Sequence, residues 1–167
     1  GGTPDLARNL YENSSAARYA NLIVAAAVEA ATTTSVKRRL QILELGGGTG
    51  ATTAAVLPKL IADRVSYHFT DVSEVFLQRA SARFASYPFI CYGLLDIENE
   101  AHLAPRRGSF DVVIAANVVH ATRDLHATLS GIASLLAPGG VMVLLETTQQ
   151  FAWHDITTGL IEGGQKS

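Results

Sequence analysis

The sequence predicts an α/β fold built on a mostly parallel sheet, with helices covering both faces. Five short apolar runs alternate along the chain with longer helix-like segments, which is the order of elements that a parallel sheet requires. The fourth and fifth runs, over 110–116 and 141–145, are almost wholly apolar, as expected of strands buried on both faces. The 167 residues, 48% of them apolar, are enough for one domain with a sizeable core.

The N-terminal part of the chain is expected to be helical. A short helix or turn over 5–13 precedes an Ala-rich helix over 16–31, which Ser14 or Ser15 can cap. The apolar residues that share one face of this helix are Tyr19, Leu22, Ile23, Ala26 and Ala30. The strands that follow are expected over 42–45, 65–70, 88–95, 110–116 and 141–145.

Helices are expected between these strands, over 52–62, 74–86 and 122–136, with a polar loop over 98–109. Pro58 should kink or restart the first helix, because proline lacks the N–H that a helix interior needs. Ser73 can cap the second helix, and the Pro-Gly-Gly sequence over 138–140 should stop the third. The sequence thus predicts a single domain over 1–167, with a helical segment over 1–38, an α/β core over 39–148 and a tail over 149–167.

The stretch over 41–51, Q-I-L-E-L-G-G-G-T-G-A, places a short strand directly before a glycine-rich turn and a helix. Such a turn exposes the backbone N–H groups at a helix start to a ligand. Gly46, Gly48 and Ala51 fit the dinucleotide fingerprint G-x-G-x-x-G/A. Glu44 and Gly50, together with those two glycines, also fit acidic-x-G-x-G-x-G. An acidic residue at the strand end suits a cationic ligand better than a pyrophosphate.

Polar side chains lie at or directly after the end of every predicted strand. In an open α/β sheet, ligands bind outside the carboxyl ends of the strands. The residues found there are Glu44, Asp71, Asp96, Asn117 with His120, and Glu146. Four of the five strands therefore end in a carboxylate, which packing of the sheet does not require.

Two of these carboxylates are candidates for contacts to a nucleoside. Asp71 lies about 20 residues beyond the glycine turn, where an acidic residue can bind the hydroxyl pair of a ribose. The alternative is that Asp71 only caps the helix after it. Asp96 can accept a hydrogen bond from an adenine amino group, or it can cap its own loop.

His120 and Glu146 follow the fourth and fifth strands, which are expected to be neighbours. A histidine oriented by a carboxylate is a common general base near neutral pH. The alternative is a histidine satisfied by a backbone carbonyl and a glutamate that faces solvent. The other histidines share no face, so that structural or solvated roles and no metal site are expected: His68, His102, His126 and His154.

The composition argues against several classes of function. The formal charge of −2 gives no polyanion-binding surface, so that no nucleic-acid partner is expected. The single cysteine, Cys91, excludes an internal disulfide and is expected to be a small buried apolar residue. The Ala-rich stretch is interrupted by polar residues, and no signal peptide precedes it, so that neither a membrane partner nor export is expected. A cytoplasmic protein is the resulting expectation.

Five segments resemble the C-methyltransferase domains of polyketide synthases, in the class I S-adenosylmethionine (SAM)-dependent methyltransferase superfamily. They are I-L-E-L-G-G-G-T-G-A-T-T (42–53), F-T-D-V-S (69–73), F-D-V-V-I-A-A-N-V-V-H-A-T (110–122), L-L-A-P-G-G-V-M-V-L-L-E-T-T (135–148) and G-L-I-E-G (159–163). The resemblance implies a Rossmann-like three-layer sandwich and SAM as cofactor, with S-adenosylhomocysteine as product. It also implies His120 as catalytic base with Glu146 as its partner. The residues that it implies in SAM binding are Gly46, Gly48, Gly50, Asp71 and Asp96. Glu44 and Asn117 are also expected to contact SAM, because of their positions at the strand ends.

The resemblance further implies a substrate and partners. The substrate would be a β-ketoacyl chain on the phosphopantetheine arm of an acyl carrier protein, methylated at its α-carbon beside the other domains of a synthase. Asn117 would hold either the amino-acid tail of SAM or the enolate oxygen. The chain departs from the family at Gly164 and Gln165, where an aromatic pair is usual, and in having no helical lid before the core.

The C-terminal part departs from the usual fold as well. That fold ends in a further helix and an antiparallel strand pair, whereas only 147–167 follow the fifth strand here. Either the chain is part of something larger, excised from a synthase, or its sheet stops at five strands.

Three other functions remain open. An O- or N-methyltransferase acting on a small molecule or a carrier-bound peptide would keep SAM and change the acceptor. An NAD-dependent oxidoreductase is less favoured, because Glu44 and Gly50 fit the methyltransferase pattern. A non-catalytic scaffold module would keep the fold without turnover, since one fold serves unrelated functions.

Overall fold

The computed structural model describes residues 14–33 and 39–147, and these form a five-stranded sheet in the order β3–β2–β1–β4–β5. Every strand pairing is parallel. The strands are β1 (Leu40–Leu45), β2 (Val65–Asp71), β3 (Ile90–Leu94), β4 (Phe110–Ala116) and β5 (Leu136–Leu145). The helices are α1 (Ser15–Thr33), α2 (Ala51–Val56), α3 (Glu74–Arg83), α4 (Glu100–Leu103) and α5 (Leu125–Ser134). The predicted α/β class with a parallel sheet is confirmed.

The two faces of the sheet carry separate apolar cores, because successive side chains of a strand point to opposite faces. Ile42 of β1 packs on one face with Val24 and Val28 of α1. Leu43 of β1 packs on the other face with Ile132 of α5. This three-layer arrangement buries every residue of β1 except the half-buried Gln41 at the centre of the sheet, where β1 pairs with β2 on one side and β4 on the other. The chain crosses from one half of the sheet to the other beside β1, so that the ends of β1 and β4 flank the reversal point.

The helix after the glycine turn ends as the proline predicts. Helix α2 stops at Val56, and Pro58 lies within a 3₁₀ turn over Leu57–Lys59. Ser14 caps α1, since its side chain accepts from the backbone N–H of Ala17. Ser73 lies at the N-cap position of α3, as predicted, but its side chain makes no capping hydrogen bond.

Two predictions about the second half of the chain are wrong. The segment over 98–109 is not simply a loop: it contains α4, whose first turn is capped by Asn99. The helix expected from 122 begins at Leu125 instead, where the side chain of Asp124 accepts from Ala127 N–H. A separate 3₁₀ turn covers Val119–Ala121. At α4 and α5 an Asn or Asp side chain accepts from an N–H of the first turn and thereby sets where the helix starts.

The fifth strand is longer than predicted. It begins at Leu136 and includes Pro138-Gly139-Gly140, which were expected only to stop the preceding helix. The pairing of β4 with β5 shifts register between Phe110 and Val112, beside these residues. A Cβ at Gly140 would lie 2.9 Å from the carbonyl oxygens of Ala137 and Phe110, so that only glycine allows this close approach of backbones.

The prediction that Cys91 is buried is wrong, and the apolar face predicted for α1 is not the face that packs on the sheet. The shared apolar face of α1 points outward: Tyr19, Leu22 and Ile23 are 68%, 59% and 50% exposed. The buried face is the one that carries Asn21, Val24, Ala25 and Val28. Cys91, expected to be buried, is exposed on the edge strand β3.

Some expectations lie outside the described residues. These are the short helix over 5–13, the tail over 149–167 and the departures at Gly164 and Gln165. Within 14–33 and 39–147, no helix is both long and apolar enough to cross a membrane.

Candidate functional site

A cavity of about 250 Å³ lies at the carboxyl ends of β1 and β4, where the direction of the chain through the sheet reverses. Its walls are the first four residues of the glycine loop (residues 46–50), the start of α2, the inner face of α1, one aromatic residue of α3, and the ends of β4 and β5. The lining residues include Ala17, Asn21, Glu44, Gly46, Gly47, Gly48, Thr52, Phe76, Asn117 and Leu145. The predicted position of the site at the strand ends is therefore where the structure has its cavity.

The glycine loop lies flat against the sheet because its glycines have no side chains. Gly48 has a left-handed backbone, and a Cβ there would meet only the Gly46 carbonyl oxygen, at 3.8 Å, so that the loop presents bare backbone. A Cβ at Gly47 would lie 2.2 Å from the ring of Phe69. Gly47 N–H also donates to the Thr70 carbonyl at 2.9 Å. Gly47, which the sequence motif left out, is thus the glycine that packs most tightly on the sheet.

Gly50 packs between two helices, whereas its place in the sequence motif suggests contact with a ligand. It lies at the start of α2 and does not line the cavity, whereas a Cβ on it would lie 2.8 Å from the ring of Phe84. Its lack of a side chain lets α2 and α3 approach each other. A direct contact of Gly50 with the cofactor stays a prediction.

The Asp71 carboxylate holds two segments of backbone in place. Its Oδ2 accepts from Gly48 N–H and its Oδ1 accepts from Ser73 N–H, each at 2.9 Å. The side chain is buried and does not line the cavity. Asp71 therefore fixes the glycine loop and the approach to α3, and its binding of a ribose stays a prediction.

Asp96 is not brought to the cavity. Its Oδ1 accepts from Glu98 N–H at 2.9 Å, two residues along, and its own N–H donates to His102 Nδ1 at 3.0 Å. These contacts belong to the loop-capping alternative. A contact of Asp96 with adenine stays a prediction.

Glu44 occupies the base of the cavity but is only 1% exposed. It lies on the α1 and α2 side of β1, since it follows Ile42 by two residues. Its Oε2 accepts from the hydroxyls of Thr53, at 2.6 Å, and Tyr67, at 2.8 Å. The carboxyl group therefore joins α2 to β2 from beneath. The sequence did not predict this internal role. The predicted contact of Glu44 with a cationic ligand stays a prediction.

Burial is the main cause that raises the pKa of Glu44 from its ordinary value of 4.5 to about 7; the hydrogen bonds from Thr53 and Tyr67 oppose this rise, and the nearby charge of Asp71 contributes to it. Burial and the Glu44 charge in turn raise the pKa of Tyr67. At neutral pH the Glu44 carboxyl group is therefore close to the midpoint of its titration.

We expect Glu44→Gln to change the dependence of stability on pH. The contribution of the protonated Glu44 to the free energy of unfolding is fully present below pH 4.5 and is lost as the pH rises through about 7. Glutamine keeps an acceptor for the two hydroxyls and does not titrate. As the pH rises from 4.5 to about 7, the wild type should therefore lose up to about 3 kcal/mol of unfolding free energy that the variant does not lose. The unfolding free energy of the variant minus that of the wild type should rise by this amount. Urea denaturation at several pH values measures it, and a difference that does not vary with pH would contradict it.

His120 and Glu146 are in direct contact. His120 Nδ1 lies 2.6 Å from Glu146 Oε2, while Glu146 Oε1 accepts from the N–H groups of Val118 and Val119 at 2.9 and 2.7 Å. The glutamate is 18% exposed and the histidine 57%. A carboxylate at Nδ1 favours the tautomer with hydrogen on that atom, which leaves the Nε2 lone pair to accept a proton. The alternative, with the two side chains apart, is wrong.

Asn117 joins this pair to the cavity, since it lines the cavity and belongs to the same short loop as His120. Its backbone is left-handed, with φ of +55°, and its N–H donates to the Leu145 carbonyl at 2.7 Å. Left-handed backbone outside glycine is costly and is found disproportionately at functional sites. Asn117 therefore lies at the cavity wall, three residues before His120 in the loop that follows β4.

Helix α1 supplies a cavity wall that sequence reasoning missed. Asn21 is buried, and its Oδ1 accepts from the Thr52 hydroxyl at 2.9 Å, which ties α1 to the start of α2. Ala17 and Ala20 complete the wall. The signal in the sequence was the spacing of Asn21 with Val24, Ala25 and Val28, which places them on one helix face.

The described ranges contain no group of three or more His, Cys, Asp or Glu side chains placed to hold a metal ion. The polar groups that line the cavity are instead a backbone loop, amides, hydroxyls and the Glu44 carboxyl group, and the loop that begins at the cavity with Asn117 also carries His120, in contact with Glu146. Such a set can bind an organic molecule and transfer a proton.

Comparison with known proteins gives one family. Residues 43–142 match the family described as methyltransferase domain. Among curated proteins, the non-reducing polyketide synthase trt4 of Aspergillus terreus is 41% identical over 131 residues, which cover 76% of this chain and 5% of that protein. The chain therefore corresponds to a small part of such a relative.

Solved structures resemble the chain closely. The CurJ carbon methyltransferase has a TM-score of 0.88 and 41% identity, over 94% of this chain and 42% of that one. The trans-methyltransferase CalH, solved in complex with SAH, has a TM-score of 0.74 and 36% identity, over 87% of this chain and 42% of that one. The chain spans less than half the length of either.

Proposed function

Since the chain belongs to the methyltransferase domain family, we propose that it is the SAM-dependent carbon methyltransferase unit of a polyketide synthase. The proposed reaction is methylation of the α-carbon of a β-ketoacyl chain. The similarity to the CurJ carbon methyltransferase and to a polyketide synthase supports this choice of reaction. The observation that carries it is the contact of His120 with Glu146 beside the cavity.

The residues around the cavity fit SAM. The bare backbone at Gly48 allows close approach of a ligand, and the Glu44 carboxyl group at the base of the cavity suits a cation once it is ionised. SAM supplies an electrophilic methyl group, which an enolate carbon accepts to leave S-adenosylhomocysteine. The residues proposed to bind or position it are Glu44, Gly46, Gly48, Gly50, Asp71, Asp96 and Asn117.

The proton chemistry belongs to His120. The α-carbon of a β-ketoacyl thioester is acidic because its carbanion is an enolate shared by two carbonyl groups. We assign removal of the α-proton to His120 Nε2, with Nδ1–H held by Glu146. The negative carboxylate stabilises the imidazolium that forms, and two backbone N–H groups keep that carboxylate in position.

Partners and location are part of the same proposal. An acyl carrier protein would deliver the β-ketoacyl chain on its phosphopantetheine arm, next to the other domains of the synthase. The chain would act as one domain of that cytoplasmic assembly. The 57% exposure of the His120 side chain supports access by a tethered substrate.

The test is an assay with SAM whose methyl group carries ¹³C and a β-ketoacyl pantetheine thioester. The product is treated with alkali to cleave the thioester and analysed by mass spectrometry and NMR. A ¹³C methyl on the α-carbon supports the proposal, whereas a methyl on oxygen or nitrogen identifies a heteroatom methyltransferase. Binding of SAM in calorimetry with no transfer to any acceptor would favour a scaffold module, and binding of NADH instead of SAM an oxidoreductase.

A further inference from the structure

The side chain of Asn117 is held by one neighbour. Its Oδ1 accepts from Thr147 twice, from the backbone N–H at 3.2 Å and from the hydroxyl at 3.0 Å. A backbone N–H can only donate, so that the atom facing it must be the amide oxygen. The contact therefore fixes the orientation of the amide group, with Oδ1 toward Thr147 and Nδ2 turned away from it.

The amide nitrogen of Asn117, Nδ2, is the hydrogen-bond donor at the other end of the same amide group. Asn117 lines the cavity, whereas Thr147 does not. Among residues 14–33 and 39–147, Nδ2 has no assigned protein acceptor. An amide nitrogen has two N–H donors and no acceptor, so that it suits an oxygen atom with negative charge.

Residues 146 and 147 thus anchor two polar residues of the loop that follows β4, His120 and Asn117. Glu146 holds His120 and Thr147 holds Asn117, each through a side-chain contact at the end of β5. From this paired arrangement we infer that Thr147 is a positioning residue, which aims the Nδ2 donor of Asn117 at an anionic oxygen of a molecule bound in the cavity. The inference rests on the proposed function for the identity of that molecule.

Two groups in the proposed reaction have such an oxygen. One is the carboxylate of the amino-acid tail of SAM, which is present before and after transfer. The other is the enolate oxygen, which exists only after the α-proton has left. The first would make Asn117 a determinant of cofactor affinity, and the second a determinant of the rate.

The experiment uses Thr147→Val, which removes the hydroxyl and keeps branching at Cβ, with Thr147→Ser as the matched control. Asn117→Ala and the double variant Asn117→Ala/Thr147→Val complete the set. Calorimetry measures the affinity for SAM and for SAH, and the methyl transfer assay gives kcat and KM. Exchange of the α-proton of the β-ketoacyl thioester in heavy water, without SAM, follows enolate formation separately.

We expect Thr147→Val to lower either the affinity for SAM and SAH or the rate by about tenfold. Asn117→Ala should lower the same quantity by about 100-fold or less. Thr147→Ser should have the wild-type value. Weaker SAM and SAH binding with unchanged kcat identifies the carboxylate. A lower kcat and slower exchange with unchanged affinity identifies the enolate. In both cases the double variant should equal Asn117→Ala alone, since Thr147 acts through Asn117.

Four results would overturn the inference. They are a Thr147→Val protein that binds and turns over like the wild type, a Thr147→Ser protein that fails to recover, additive losses in the double variant, and an Asn117→Ala protein without a defect. Thr147 is exposed, so that unfolding is not expected, and thermal melting of each variant checks it. If no β-ketoacyl chain is methylated at all, the proposed function fails, while the SAM affinities still test the role of Thr147.

Discussion

Replacing His120 by alanine should lower the rate of methyl transfer by about 100- to 10,000-fold, the usual contribution of a general base. The loss follows because Nε2 is the acceptor proposed for the α-proton, and Nδ1 is already in contact with Glu146. The affinity for SAM should stay close to that of the wild type, because His120 does not line the cavity. Single-turnover kinetics with the β-ketoacyl thioester, together with calorimetry, measure the two effects.

Glu146→Gln is the matched comparison for this result. Glutamine can still accept from the N–H groups of Val118 and Val119, yet it removes the charge beside the imidazole. Its rate should fall by less than that of His120→Ala, and the rate of the double variant should equal that of His120→Ala, since the carboxylate acts through the histidine. A His120→Ala protein with the wild-type rate would remove His120 from the mechanism.

Gly47→Ala should destabilise the protein by about 1–3 kcal/mol and weaken SAM binding by about 10- to 100-fold. The added Cβ would lie 2.2 Å from the ring of Phe69, which is fully buried in the sheet, so that the ring has no room to move away. The glycine loop must lift instead. Lifting it breaks the contact of Gly47 N–H with Thr70 and displaces the Gly48 backbone that faces the cavity.

Gly93→Ala is the control for that substitution. Gly93 lies in strand β3, and a Cβ there would meet no atom within 4 Å. Neither glycine has a left-handed backbone, so that the two variants differ in the space available rather than in backbone strain. Urea denaturation and calorimetry should give wild-type values for Gly93→Ala. Equal losses in both variants, or a Gly47→Ala protein with wild-type stability and affinity, would contradict the packing argument.

The sequence alone determined the fold class and the edge of the sheet at which the site lies. Apolar runs that alternate with helical segments predict a parallel sheet, because helices on both sides of such a sheet bury both faces of its strands. Strand β4 has the predicted bounds. The pairing of His120 with Glu146 was also within reach, because neighbouring parallel strands end at the same edge. These conclusions depend on spacing along the chain, which a sequence contains.

Only the tertiary structure decided what each polar side chain touches. Glu44 is at the strand end, as predicted, but Thr53 and Tyr67 approach it from other elements and give it an internal role. The inner face of α1 was not the more apolar one, since small residues and Asn21 fit against α2. Burial and hydrogen-bond partners arise when distant segments meet, so that composition and periodicity cannot specify them. For the same reason the contact of Thr147 with Asn117 could not be read from the sequence.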